Sequence, residues 1–153
     1  MAAKRRASGE LPVLRFVLVT LNAHLAEAFE RARAALARDL PSLDLRLHIA
    51  ADWLEDPAAA QRCRDDLAAA HMVMVTQVFQ DEMVREILPT LRAHAAGYDS
   101  ILSVLCATEL VQLSRLGRFS MAEDGTRSAW SPISLLKKLK GERKAGKTTG
   151  ERQ

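Results

Sequence analysis

The stretch His71-Met-Val-Met-Val-Thr76, followed by Asp81-Glu-Met-Val-Arg-Glu-Ile-Leu-Pro-Thr-Leu-Arg-Ala-His-Ala95, contains the two periodicities that decide the fold. The first run is almost wholly apolar, which is typical of a central strand in a parallel sheet. The second run has helical spacing, and its predicted buried stripe is Val84, Ile87, Leu88 and Leu91. Pro89 predicts a kink or a split in this helix, and Gly97 predicts its end.

The same alternation extends towards the N-terminus. Residues 14–20 form an apolar strand-like run, and a helical pattern follows that Pro41 and Ser42 close. Residues 43–50 alternate apolar and polar side chains, which predicts a strand with one less buried face at a sheet edge. Asp56 and Pro57 read as an N-cap and a first helical residue, opening a helix through about Ala69.

Towards the C-terminus, residues 98–105 predict a fourth strand, and Thr108 is expected to cap a last helix that ends at Gly117. Strands that alternate with helices indicate β-α-β crossovers and a parallel sheet. We therefore predict an α/β domain with an open, mainly parallel four-stranded sheet and helices on both faces, of the Rossmann or flavodoxin type.

Composition divides the chain into five segments. We expect a disordered basic leader at residues 1–12, the α/β domain at 13–119, a linker at 120–131, an amphipathic basic helix at 132–141 and a disordered tail at 142–153. The net charge is +3. Residues 1–10 contain three basic and one acidic residue, and residues 137–153 contain seven basic and two acidic residues. The net charge of residues 11–136 is therefore −4.

The bulk properties favour a cytoplasmic protein. No apolar run reaches the roughly 18 residues that a membrane helix needs, and the two cysteines, Cys63 and Cys106, suggest neither a disulfide framework nor a zinc site. No aromatic residue is interleaved among the charges of the basic tails, so no nucleic acid is expected as a partner. Solvated linkers are the favoured interpretation, and a membrane or nucleic-acid anchor is the alternative.

Known catalytic motifs are absent or out of context. Gly141–Thr148 satisfies the G-x-x-x-x-G-K-[ST] pattern of a phosphate-binding loop, but no buried strand precedes it and only five residues follow. The turn after the first strand has no glycine, so the dinucleotide fingerprint is missing. The four histidines share no metal-ligand spacing. We therefore predict no catalytic, cofactor-binding or metal-binding residue in this chain.

Polar residues that follow the predicted strands are the candidate ligand or partner face, because the carboxyl ends of parallel strands meet at one edge. The candidates are Asn22, His24, Asp52, Trp53, Gln77, Asp81, Thr108 and Glu109. Each also has a purely structural interpretation: Asp56, Asp81 and Thr108 as helix caps, Trp53 as packing over the edge, and His24 as a solvated side chain.

Four segments stand in a recognisable order: Val17–Leu25 (VLVTLNAHL), Leu47–Trp53 (LHIAADW) with Asp56-Pro57, Glu109–Gly117 (ELVQLSRLG) and Leu135–Gly141 (LLKKLKG). Together they resemble the N-terminal domain of the magnesium chelatase H subunit family, over residues 14–141. The resemblance implies a parent protein that binds protoporphyrin IX and on which Mg²⁺ is inserted, while partner AAA+ subunits hydrolyse ATP. The parts that handle porphyrin and metal are attributed to a region that follows this domain, so no catalytic residue is carried over.

The resemblance implies an N-terminal interaction domain that packs on the remainder of the H subunit, gates the porphyrin cleft or docks the AAA+ subunits. A stand-alone module that binds a tetrapyrrole near His24, Asp52 and Trp53 is the alternative from a different class. Both a segment of a longer polypeptide and a natural short protein stay open.

Overall fold

A computed structural model of the chain describes residues 12–121. Several predicted segments lie outside the described residues: the leader except Pro12, the linker from residue 122 onwards, the helix at 132–141, the tail and the Gly141–Thr148 match. The strands are β1 (Leu14–Thr20), β2 (Leu43–Ile49), β3 (Met72–Thr76), β4 (Ser100–Val104), β5 (Arg115–Leu116) and β6 (Phe119–Ser120). The helices are α1 (Ala26–Asp39), α2 (Pro57–Ala68), α3 (Asp81–His94) and α4 (Thr108–Val111).

The described strands form one sheet in the order β2-β1-β3-β4-β5-β6. β1 to β4 are mutually parallel, and β5 and β6 are antiparallel to their neighbours. The α/β class is confirmed, but the predicted count of four strands is wrong because the chain adds a short hairpin. Gly117 turns that hairpin with a φ of +59°, a conformation that glycine adopts without steric cost.

The last helix is shorter than predicted. α4 ends at Val111 instead of continuing to Gly117. The buried Ser114 hydroxyl accepts a hydrogen bond from the Ser103 backbone N–H (2.9 Å), which ties the following segment to β4. The helical spacing of Leu113 and Leu116 was therefore misleading, because this tertiary hydrogen bond holds the chain in position to form β5.

Two predictions about strand position are confirmed. β3 lies between β1 and β4 inside the sheet, and β2 lies at the edge, where none of its side chains is fully buried. β4 is shorter than the predicted 98–105. Tyr98 precedes it as a buried side chain whose hydroxyl donates to the Leu67 carbonyl (2.8 Å).

The core lies between the sheet and two helices. Because β-α-β crossovers are right-handed, the chain order places α2 and α3 on one face of this sheet and α1 on the other. Cys63 and Leu67 of α2 and Ile87 and Leu91 of α3 are fully buried. They pack with the sheet residues Val17, Val19, Val73, Val75 and Ile101.

The predicted helix punctuation is only partly confirmed. Asp56 caps α2, since its side chain accepts from the Ala58 N–H (3.0 Å). Asp81 and Thr108 are not caps: the N-cap positions are Gln80 and Ala107, and neither makes a side-chain capping bond. Pro89 does not split α3, which runs without a break from Asp81 to His94. Within residues 12–121, every helix is too short or too polar to cross a bilayer.

Candidate functional site

The predicted candidates all follow strands β1 to β4, at the edge formed by the carboxyl ends of those strands, which we call the carboxyl edge. Asn22 directly precedes the 3-10 turn Ala23–Leu25 and His24 lies within it; both side chains are exposed. Asp52 and Trp53 lie in the 3-10 turn Ala50–Leu54 after β2. Gln77 directly follows β3, Asp81 begins α3, and Thr108 and Glu109 begin α4.

Hydrogen bonds join the loops of the carboxyl edge in two pairs. The Ala51 N–H donates to the Leu21 carbonyl (3.0 Å), which links the loops after β1 and β2. The Ala107 N–H donates to the Val78 carbonyl (2.9 Å), which links the loops after β3 and β4. The Cys106 thiol strengthens the second pair by donating to the Val75 carbonyl (3.4 Å). The loops are therefore braced on the sheet and on each other.

Two residues of the second loop pair have left-handed backbone conformations although neither is glycine. Gln77 follows β3 with a φ of 61°, and Leu105 follows β4 with a φ of 53°. A non-glycine residue in this region costs about 1 kcal/mol or more, so the surrounding contacts must hold both positions. The consequence is that both loops turn sharply at the ends of their strands, and the Leu105 side chain is directed into solvent, 68% exposed.

The eight predicted side chains do not assemble into a polar site. Within residues 12–121, no hydrogen bond or salt bridge joins two of them. Trp53 is a core residue, 6% exposed, and the exposed members are Asn22, His24, Asp52, Asp81, Thr108 and Glu109. Gln77 is half-buried, and its Oε1 is a buried atom without a hydrogen-bond partner among the described residues.

Apolar side chains at the carboxyl edge were missed by the sequence reasoning. Leu54 is 68% exposed after β2, Phe79 is 52% exposed after β3, and Leu105 is 68% exposed after β4. We call these three residues the apolar rim. A search for ligand-binding polar groups overlooks them, but a signal was present: each is a large apolar residue in a loop just after a strand. Large apolar residues exposed together mark interaction surfaces.

A small cavity adjoins the apolar rim. It has a volume of about 60 Å³ and is lined by Trp53, Leu54, Glu82, Met83 and Glu86. Small-molecule pockets usually measure roughly 300–1,000 Å³. This cavity therefore matches one side chain of a partner better than it matches a large planar ligand.

The described residues offer neither a metal site nor a reactive thiol. No group of three His, Cys, Asp or Glu side chains in residues 12–121 is placed to hold a metal ion. Burial raises the pKa of the Cys63 thiol to about 12, and burial also raises the pKa of Cys106. Both thiols are consequently protonated at neutral pH, whereas nucleophilic and metal-binding cysteines act as thiolates.

Charged side chains are paired around the edge strand β2 and the neighbouring parts of β1 and α2. Arg15 of β1 donates to Asp44 of β2 (2.8 Å), and Arg46 donates to the same carboxylate (2.8 Å). Hydrogen bonds from Arg46 and Arg15 hold the pKa of Asp44 below its usual value against the effect of burial. His48 pairs with Asp66 of α2 at 2.8 Å. These contacts tie β1, β2 and α2 together.

Comparison with known proteins shows which family this chain belongs to. Residues 15–153 match a family model described as "Domain of unknown function (DUF3479)". The chain is 32% identical over 142 residues to the magnesium-chelatase H subunit of Cereibacter sphaeroides, covering 93% of this chain and 12% of that protein. It is 31% identical over 137 residues to the magnesium-chelatase H subunit of Rhodobacter capsulatus, covering 90% of this chain and 11% of that protein. The resemblance to the H subunit is confirmed, and the chain spans only about an eighth of these relatives.

Proposed function

Since the chain belongs to the DUF3479 family, we propose that it is an interaction domain of a magnesium-chelatase H-type protein and performs no chemistry itself. The expected setting is the N-terminal part of that protein, in the cytoplasm. The domain docks on the remainder of the H subunit or on a chelatase partner through the carboxyl edge. For the whole protein, the name of the relatives, magnesium-chelatase, suggests Mg²⁺ insertion. The family resemblance adds a porphyrin as the acceptor and ATP hydrolysis by separate subunits.

The observation that carries this proposal is the apolar rim. Its three members come from three successive loops that follow parallel strands, so one edge of the sheet presents all of them. The loops are braced by backbone hydrogen bonds, so a partner meets a pre-organised surface and little conformational entropy is lost on docking. The cavity beside Leu54 offers a place for one side chain of the partner.

Charge supports docking over catalysis. Exposed acidic side chains surround the rim: Asp52 and Glu55 near Leu54, and Asp81 and Glu82 near Phe79. An apolar centre with a charged periphery is the usual anatomy of a protein–protein interface. The partner surface is accordingly expected to be apolar at its centre and basic at its periphery.

A domain exchange tests the proposal. The matching region of the C. sphaeroides H subunit is replaced by this chain, and magnesium chelatase activity is measured with the other subunits. We expect the chimera to be active and a Phe79→Asp/Leu105→Asp chimera to lose at least about tenfold, because two buried anchor residues carry much of an interface.

The matched control is Leu40→Asp. Leu40 follows α1, before β2 begins, and is 49% exposed, close to the exposure of Phe79, so this substitution places a carboxylate at a comparably exposed apolar position outside the rim. Thermal unfolding of the isolated variants verifies that each still folds. Equal activity of the rim and Leu40 chimeras would contradict docking through the carboxyl edge.

A titration with protoporphyrin IX, followed by tryptophan fluorescence, tests the alternative that this chain binds a tetrapyrrole. The proposal expects no saturable binding by this chain, because the cavity at Trp53 is far smaller than a tetrapyrrole site. Tight stoichiometric binding would replace the docking role with a ligand-binding one.

A further inference from the structure

One face of the sheet carries a largely apolar surface that the described helices leave partly uncovered. The strand register places Phe16, Met72 and Ser100 side by side, then Leu18, Met74 and Leu102. The antiparallel pairing of Ser100 with Leu116, and of Leu116 with Phe119, continues this row to the end of the sheet. We call this surface the open face: Phe16, Leu18, Met72, Met74, Leu102, Val104, Leu116 and Phe119.

The two faces of the sheet differ sharply in burial. On the face covered by α2 and α3, Val17, Val19, Val73, Val75 and Ile101 are almost completely buried. On the open face, the residues of β1 and β3 are only half-buried, and Leu116 and Phe119 are about half exposed. Both faces therefore consist mainly of apolar side chains of the kind found in a core, but the open face is still partly exposed to water. An exposed apolar surface of this extent marks an interaction site.

The open face lies beside α1, and we call its part over β3 to β6 the trough. The described helix on this side, α1, packs against β2, and none of its residues is fully buried. No helix within residues 12–121 covers β3 to β6 on this side. Four strands at about 4.8 Å spacing measure about 15 Å across. A helix with its side chains is about 10 Å wide, so the trough accommodates one helix parallel to α1.

We infer that the open face binds an amphipathic helix of the H-subunit polypeptide, taken from the region outside this domain. This inference rests on the proposed function and adds a second docking surface to it. About seven-eighths of each relative lies outside the matching region, so such a protein has ample chain to supply the helix. A surface without charged side chains selects a stripe of aliphatic or aromatic residues at helical spacing.

A second copy of the chain fits the trough less well than a helix does. A helix packed on a sheet occupies about the same 10 Å layer that a second sheet would occupy. α1 stands in that layer over β2, so it prevents another sheet from lying flat across the face. Met72 and Met74 lie on β3, at the side of the trough next to β1, and their flexible side chains can adapt to the ridges of an incoming helix.

A peptide scan tests the inference. Overlapping peptides of about 20 residues, several helical turns each, cover the C. sphaeroides H subunit outside the matching region, and binding of the full chain to each is measured by fluorescence anisotropy. We expect binding to peptides with an apolar stripe at i, i+3 and i+4 spacing, weakened at least about tenfold by Leu116→Ser/Phe119→Ser. Leu40→Ser, which removes an equally exposed apolar residue elsewhere, should leave binding unchanged.

Three results would overturn the inference. One is that no peptide binds in a way that depends on Leu116 and Phe119. Another is a dimer in solution that the same double substitution dissolves, which would assign the face to a second copy. The last is that deletion of residues 132–153 increases the binding of an apolar dye and that Leu116→Ser/Phe119→Ser abolishes this increase. That result would assign the open face to residues 132–153. None of these three results depends on the activity of the rim chimeras. The proposed function and the inference about the open face can therefore be refuted separately.

Discussion

Alkaline pH should destabilise the domain through one buried thiol, and the effect can be isolated with Cys63→Ala. Cys63 is fully buried in α2, and burial raises its pKa from 9.0 to about 12. The unfolded chain therefore releases this proton about three pH units before the folded chain does. Stability from the protonated thiol is complete below about pH 9 and is lost progressively as the pH rises towards 12.

The magnitude follows from proton linkage. One proton difference changes the free energy of unfolding by about 1.4 kcal/mol per pH unit, so wild type should lose roughly 2 kcal/mol from this group by about pH 10.5. Cys63→Ala removes one buried sulfur and should cost about 1 kcal/mol at neutral pH. The two stability curves should therefore cross near pH 9.5–10, above which the alanine variant is the more stable protein.

Urea unfolding followed by far-UV circular dichroism, in reductant, measures both curves between about pH 7 and pH 10.5. Burial, and to a smaller extent Cys63, also raises the pKa of Tyr98 to about 12. Tyr98 is present in both chains, so the part of its contribution that comes from burial cancels in the difference. Cys106→Ala is the control: its thiol is only half-buried, and the difference from wild type should depend less on pH. A stability difference between Cys63→Ala and wild type that stays constant with pH would refute the reasoning.

Three further predictions concern local features. Asp56→Ala should lower the urea midpoint of unfolding, since the Ala58 N–H loses its capping acceptor, while Asp65→Ala on the exposed side of α2 should change it much less. Leu105→Gly should raise stability by about 0.5–1 kcal/mol by relieving its left-handed backbone, and no gain in the urea midpoint would mean that the position is unstrained. Asp44→Asn should flatten the loss of stability below about pH 4, because the lowered pKa of Asp44 stabilises the fold only while the carboxyl is ionised; an acid-unfolding curve identical to wild type would contradict this.

The sequence by itself determined the α/β class, the central position of β3, the edge position of β2 and the resemblance to the H subunit. These features depend on periodicity over five or more residues, on local turn chemistry such as the Asp56-Pro57 cap, and on segment order. Burial of an entire run, as in 71–76, is a strong signal because a parallel strand covered on both faces must be apolar throughout.

Only the tertiary structure decided the rest, because it depends on contacts between residues distant in the chain. The hydrogen bond between Ser114 and Ser103 ends α4 early and allows the β5-β6 hairpin to extend the sheet. Trp53 became a core residue and Leu105 an exposed one, and nothing in their local sequence separates these outcomes. The sequence of a strand shows which residues share a face, because side chains alternate. Which of the two faces a helix covers depends on the handedness of the crossovers and on packing. The open face, and the exposure of the apolar rim at one edge, therefore depend on how the strands lie side by side.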